Sequence, residues 1–258
     1  MAVMKAIILA GGFAKRLWPL TKDKPKHLLK VADRYIIDYC MEKISEVPQI
    51  DEVILSTNAR FAPNFREWME GLENNKKLTL LEEPALEEGQ KFGSIGALKW
   101  LLEKTGLDDD VLIYGADNIF EFSLNDLIKV FNQKKASVLG IYDIRSLEEA
   151  KKFGCVEVDE NDRIIDFLEK PPEPKTTIVS TAVYLFKRED IGLIRRYVEE
   201  GHDPDKMGNF VDWLRKEKDV YAFIFGGRWF DIGSFELLEE ADKYFRGKAR
   251  PEAAEPFS

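Results

Sequence analysis

Sulfur and imidazole are scarce in this chain. Its 258 residues hold two cysteines, Cys40 and Cys155, and two histidines, His27 and His202. Neither a disulfide framework nor a Cys/His zinc set can be built from these, so any metal must be held by carboxylates. No apolar run reaches membrane-spanning length, and the N-terminal apolar run is only a strand long and lacks signal-peptide flanks. A soluble cytoplasmic protein with no membrane partner is expected. Positive charge is in deficit, with 38 Lys and Arg against 47 Asp and Glu and a net charge of -9. That balance argues against a general nucleic-acid surface, which needs cations spread over phosphates. Only three glutamines stand among abundant Glu and Lys, a composition that leans toward thermophile proteins. Two familiar phosphate loops are also missing: there is no Gly-Lys-Ser/Thr of Walker A type, and the dinucleotide Gly-x-Gly-x-x-Gly is not matched.

What the chain does have is a basic island inside this acidic background. Between Lys15 and Lys30 stand Lys15, Arg16, Lys22, Lys24, Lys26 and Lys30, opposed only by Asp23, and such an island calls for a local anion. It follows the short apolar run Met4-Lys-Ala-Ile-Ile-Leu9, which reads as a buried parallel strand running into a turn. Leu9-Ala10-Gly11-Gly12 then lets the backbone approach phosphate oxygens, because the two glycines lack a Cβ. Arg16 can fork onto two phosphate oxygens and Lys26 supplies a mobile point charge, with Pro19 and Pro25 stiffening the span around them.

Further along, strand-like runs at Glu52 to Thr57, Leu78 to Leu81, Val111 to Tyr114 and Ala136 to Tyr142 alternate with helical stretches. The latter fall near Ile36 to Ile44, Phe65 to Leu72, Ile95 to Lys104 and Leu124 to Lys134. This rhythm predicts a doubly wound α/β fold, whose ligands gather at the carboxyl ends of the strands, here the loops after Leu9, Leu81 and Tyr114. Beyond Tyr142 the spacing predicts strands at 154–158, 163–170 and 177–186, some antiparallel, then helices at 191–199 and 210–216 and a strand at 220–225. A single domain over 1–246 is expected, with two halves at 1–142 and 143–246, which the resemblance described next implies to be nucleotide-binding and sugar-phosphate-binding, and a frayed tail at 247–258.

The segment Leu9-Ala-Gly-Gly-Phe-Ala-Lys-Arg-Leu-Trp-Pro-Leu-Thr21, with Pro25-Lys26 behind it, resembles the signature of the sugar-1-phosphate nucleotidylyltransferases. The likeness continues in order through Leu81-Glu-Glu-Pro84, Gly93-Ser-Ile-Gly-Ala-Leu98, Gly115-Ala-Asp117-Asn118, Phe153-Gly-Cys-Val-Glu157, Glu169-Lys170-Pro171 and Trp229-Phe-Asp231-Ile-Gly233. It covers Met4 to about Phe245, in the form without C-terminal hexapeptide repeats. The resemblance implies a Rossmann-like mixed sheet of the nucleotide-diphospho-sugar transferase type, and an enzyme that makes an NDP-sugar and pyrophosphate from an NTP and a hexose 1-phosphate. It implies Arg16 and Lys26 as catalytic cations, and Leu9, Ala10, Gly11, Gly12, Lys15, Glu83 and Gly93 on the nucleotide. Gly154, Glu169 and Lys170 would meet the sugar phosphate, and Asp117 and Asp231 would hold Mg2+. Taken alone, Asp117-Asn118 reads as an Asx turn and Asp231 as a carboxylate near a helix N-terminus. Ala14-Lys15 replaces the usual Gly-Thr, and Ala85 to Phe92 form a longer linker than in bacterial thymidylyltransferases.

Glucose 1-phosphate with dTTP or UTP is the expected pairing and mannose 1-phosphate with GTP its rival, since Glu83, an acceptor only, suits either an imide N–H or guanine's two donors. A non-catalytic sugar-nucleotide sensor is the alternative of another class, and a dehydrogenase has the wrong glycines. Homo-oligomerisation is common in the family. His27 reads as a packing residue.

Overall fold

The computed structural model describes residues 4–249. Thirteen strands are formed: β1 Met4–Leu9, β2 Lys30–Val31, β3 Arg34–Tyr35, β4 Ile50–Asn58, β5 Lys77–Glu83, β6 Asp110–Gly115, β7 Asn118–Phe120, β8 Ser137–Asp143, β9 Gly154–Val158, β10 Ile164–Glu169, β11 Ile178–Phe186, β12 Val220–Ile224 and β13 Trp229–Asp231. The helices are α1 Ile36–Ser45, α2 Ala62–Glu70, α3 Gly93–Thr105, α4 Leu124–Lys134, α5 Leu147–Ala150, α6 Arg188–Ile191, α7 Ile194–Glu199, α8 Met207–Glu217 and α9 Phe235–Ala249.

β1 is central because it is apolar on both faces. It pairs in parallel with β4 on one side and β6 on the other, and β4 pairs in parallel with β5. Its alternation sorts the two layers. Ala6 and Ile8 pack with Ile37 and Cys40 of α1, Phe65 of α2 and Leu127 and Phe131 of α4. Ile7 faces the opposite layer, with Leu98 of α3, Tyr197 of α7 and Phe210 and Leu214 of α8. Helices on both faces make the doubly wound arrangement predicted from the β-α rhythm.

On the far side of β6 the sheet turns antiparallel. β11 pairs antiparallel with β6, β8 and β9, and β9 with β10, so the sheet runs β10-β9-β11-β6-β1-β4-β5, with β8 branching from β11 and carrying β12 in parallel on its other edge. β11 can serve so many neighbours because it breaks at Ala182, whose φ is +55°, and its register shifts between Ser180 and Tyr184.

Three expectations need correction. The helix read over 191–199 is two short helices, α6 and α7, interrupted at Gly192-Leu193. The helix placed over 65–72 starts earlier, at Ala62, with Pro63 in its first turn, where a missing N–H costs nothing. Residues 247–249, read as tail, complete α9, and the rest of that tail lies outside the described residues. Two pairings were not anticipated: β2 with β3, and β7 with β13, each a two-stranded antiparallel ribbon apart from the main sheet.

Candidate active site

The glycine loop is held from below by the polar end of β4. Ala10 N–H donates to Ser56 O at 2.8 Å, Thr57 Oγ1 donates to Ala10 O at 3.1 Å, and Asn58 Nδ2 to Gly11 O at 3.0 Å. With these carbonyls engaged, none of the described residues accepts from the N–H of Gly11 or Gly12, which suits a cradle for an anion. A Cβ on Gly12 would meet nothing within 4 Å, whereas one on Gly11 would lie 3.1 Å from Glu83 Oε1. Ala14, standing where the family has glycine, sits in the left-handed region at φ +46°, its carbonyl held by Thr21 Oγ1 at 2.8 Å. Lys15 faces the long linker, paired to Glu88 at 3.0 Å on the surface.

The β7–β13 ribbon assembles the acidic centre. Asp231 pairs with Asn118 in its register, and Ile232 N–H donates to Asp117 O at 2.9 Å, so the two aspartates stand beside each other on the ribbon. Asn118 organises them: its Nδ2 donates to Asp117 Oδ1 at 2.9 Å and to Gly115 O at 3.1 Å, and its Oδ1 accepts from Trp229 Nε1 at 2.8 Å. Lys26 Nζ donates to Asp117 Oδ2. Burial would raise the Asp117 carboxyl, but Lys26 beside it holds it below the usual aspartate value. Asp231 is pushed up to about 6, first by burial and then by the negative charge of Asp117, against the pull of Lys26, Arg16 and Lys170. Arg16 Nη2 comes within 3.6 Å of where a side chain on Gly233 would start.

The third part is built on the β9–β10 hairpin. Gly154 lies opposite Glu169, and a Cβ on it would fall 2.5 Å from Phe167 Cζ. Gly208, in the first turn of α8, closes on the same pair from the other side: a Cβ there would overlap Glu169 Oε2 and lie 2.5 Å from Phe167 Cε1. Burial pushes the Glu169 carboxyl up, against the nearby charges of Lys170 and Lys206. Lys170, at φ +49°, donates its N–H to Phe153 O at 3.1 Å. Phe153 in turn packs on Trp229, ring centres 5.0 Å apart, joining the hairpin to the ribbon.

Glu83 lines a cavity of about 250 Å³ with Leu9, Gly11, Gly12 and Gly93, residues read as nucleotide-binding in the sequence. Lys91 and Asp205 also line it. Asp205 and Gly208 carry no local sequence signal, whereas Ser56-Thr57-Asn58 was readable as a polar end to an apolar strand. His27 is buried at 2% exposure against the Phe65 ring, as a packing residue should be.

The family model described as nucleotidyl transferase matches residues 5–246. The bifunctional protein GlmU of Methanocaldococcus jannaschii is 27% identical over 245 residues, which is 95% of this chain but 55% of that protein. The chain thus spans about half the length of that curated relative. Among solved structures, a putative glucose-1-phosphate thymidylyltransferase from Bacillus anthracis superposes with a TM-score of 0.81 at 24% identity, covering 95% of this chain and 96% of that one. A UDP-glucose pyrophosphorylase complexed with UDP-glucose gives 0.82 at 18% identity, covering 95% and 99%. These likenesses establish the nucleotide-diphospho-sugar transferase fold. With the family model matched over nearly the whole described chain, the protein belongs to the nucleotidyl transferase family, whose sugar-phosphate members share its fold.

Proposed function

We propose that this protein transfers a nucleotidyl group from an NTP to a hexose 1-phosphate, giving an NDP-sugar and pyrophosphate. The observation that carries the reading is the β7–β13 ribbon, which sets Asp117 and Asp231 together among Arg16, Lys26 and Lys170. One cleft thereby receives cations from the glycine loop and from the sugar half, as two phosphates brought together would require.

A phosphate oxygen of the sugar phosphate attacks the α-phosphorus in line. The new P–O bond forms as the bond to the β-phosphate oxygen breaks, and pyrophosphate leaves with that electron pair; no covalent enzyme intermediate is needed. Arg16 lies along the triphosphate, and Lys26 and Lys170 neutralise charge on the reacting phosphates. Each such group is worth on the order of 2–4 kcal/mol in the transition state. Glu169 accepts from sugar hydroxyls, and Gly154 leaves room for the Phe167 ring that packs beside that carboxylate.

The acidic pair fits a divalent cation. The charge of Asp117 raises the cost of ionising Asp231 beside it, and among the described residues no group of three or more His, Cys, Asp or Glu could hold a metal. Mg2+, which takes few protein ligands and keeps waters and phosphate oxygens, suits that set, with Asp117 and Asp231 as its holders. When bound it supplies charge neutralisation on the triphosphate.

Pyrophosphate release from a panel of NTPs and sugar 1-phosphates with Mg2+ tests the reading. Asp117→Asn should lower turnover by on the order of 10²–10³-fold. Full turnover in that variant overturns the metal assignment, and release from no pair in the wild type favours a non-catalytic sensor.

A further inference from the structure

We propose that the base of the nucleotide substrate is guanine. The proposal rests on the nucleotidyl-transfer reading above and deepens it, against the uridine and thymidine compounds named for the structural neighbours.

Donors and acceptors around the cavity that holds Glu83 select the base. Its volume, about 250 Å³, suits a base rather than a whole nucleotide. Glu83 stands at the end of β5, only 4% exposed, fixed by Ser56 Oγ donating to Oε1 at 2.8 Å and backed by Gly11. Each carboxylate oxygen has two lone-pair directions, so both still accept after the serine is bonded.

The donors one would look for are the free N–H groups at the start of α3. Here three of them are spent on a loop from the other half of the chain. Ser94 N–H donates to Asp205 O at 3.1 Å, and Ile95 and Gly96 N–H donate to Pro204 O at 3.0 and 3.1 Å. The Ser94 hydroxyl also donates to Asp205 O, at 2.8 Å. Gly93 makes this contact possible: at φ +76° its missing Cβ would overlap Asp205 Cα and lie 2.7 Å from Pro204 O. The loop that consumes these donors also brings the Asp205 side chain to the cavity, where it pairs with Lys91 at 3.4 Å. The side chains that remain to read polarity are therefore two carboxylates and one ammonium, beside the backbone N–H groups of Gly11, Gly12 and Gly93.

Uracil and thymine present acceptor, donor, acceptor along the pairing edge. Their single N3–H can meet one oxygen of Glu83, but a carbonyl oxygen then faces the other oxygen of the same carboxylate. Adenine and cytosine place a ring-nitrogen acceptor beside their amino group and meet the same repulsion. Guanine alone puts two donors side by side, N1–H and the N2 amino group, matching the two oxygens of one carboxylate, while O6 accepts from Lys91. Base pockets built on bidentate contacts of this kind discriminate by about 1–3 kcal/mol, or roughly 5- to 150-fold.

Equilibrium binding of GTP, UTP, dTTP, ATP and CTP to the whole protein, alongside pyrophosphate release from each with a common sugar 1-phosphate, reads the base directly. GTP is expected to bind tightest, by on the order of 10-fold or more. Glu83→Gln, which offers one donor and one acceptor, should weaken GTP and strengthen UTP, reversing their order. Asp205→Asn keeps the backbone caps on α3 and should reduce the GTP preference without reversing it. UTP or dTTP binding to the wild type as tightly as GTP overturns the proposal, as does Glu83→Gln leaving the order unchanged while circular dichroism shows it folded. Preferential GTP binding without pyrophosphate release from any pair would sustain the base assignment and defeat the reaction.

Discussion

Gly208 is where a single methyl group should separate sugar-phosphate use from nucleotide binding. In Gly208→Ala the new Cβ collides with Glu169 Oε2 and comes to 2.5 Å from Phe167 Cε1. The Phe167 ring is 2% exposed and packed in the layer beneath α8, so it cannot swing away. The carboxylate must give instead. Forcing a methyl into a packed site costs about 1–3 kcal/mol, offset by up to about 1 kcal/mol from replacing glycine in a helix. A net loss of about 1–2 kcal/mol corresponds to a Tm lower by roughly 2–8 °C for a chain of this size. The functional loss is larger, because displacing a positioned group by about 1 Å costs on the order of 10²-fold. That factor should appear in kcat/KM for the sugar phosphate at saturating NTP, while nucleotide affinity, read at Glu83 across the cleft, stays as in the wild type. Thermal unfolding and initial-rate kinetics with the sugar phosphate varied measure both. Unchanged sugar-phosphate kinetics in a variant with a lowered Tm would refute the link between Gly208 and the Glu169 carboxylate.

Two further outcomes follow from individual side chains. Ala14→Gly should stabilise by about 1 kcal/mol, since the left-handed φ of +46° costs an alanine about 1–2 kcal/mol and glycine's extra chain entropy returns about 0.5–1 kcal/mol of that; denaturant titration showing a loss instead would mean the loop needs the methyl group. The His27 pKa is lowered from 6.5 to about 3, chiefly by burial and then by Lys26. The unfolded chain therefore takes up a proton below pH 6.5 that the folded chain refuses until about pH 3. Stability present above pH 6.5 drains away at up to about 1.4 kcal/mol per pH unit in that window, so unfolding free energies at pH 7 and 4.5 should diverge less in His27→Gln; equal divergence in both proteins would count against a neutral buried imidazole.

The parts legible in the sequence are those whose signal is short-range. An apolar run closed by small residues and glycines could hardly be other than a buried strand, and Met4–Leu9 lies at the centre of the sheet. The α4 boundaries were readable as Leu124–Lys134 because Ser123 caps one end, accepting from Asn125 N–H at 3.2 Å, and the apolar spacing carries through to the other. The break between α6 and α7 was not readable, since Ile191 and Ile194 keep helical spacing across Gly192 and are both buried regardless.

By itself, then, the order of residues determined the alternating α/β architecture, the glycine loop with its cations, and the pieces of the acidic pair and of the Gly154, Glu169 and Lys170 cluster, because each piece depends on neighbours within a few positions. Tertiary structure alone decided which pieces meet. Asp117 and Asp231 read separately as a turn and a helix start until β7 and β13 pair across more than a hundred residues and lay them on one cleft. Asp205 and Ser94 are separated by 111 positions, yet the caps between them remove donors from the cavity beside Glu83. Hydrogen-bond demand is local to each group, but the partner that satisfies it is supplied by the fold, and no spacing along the chain records that choice.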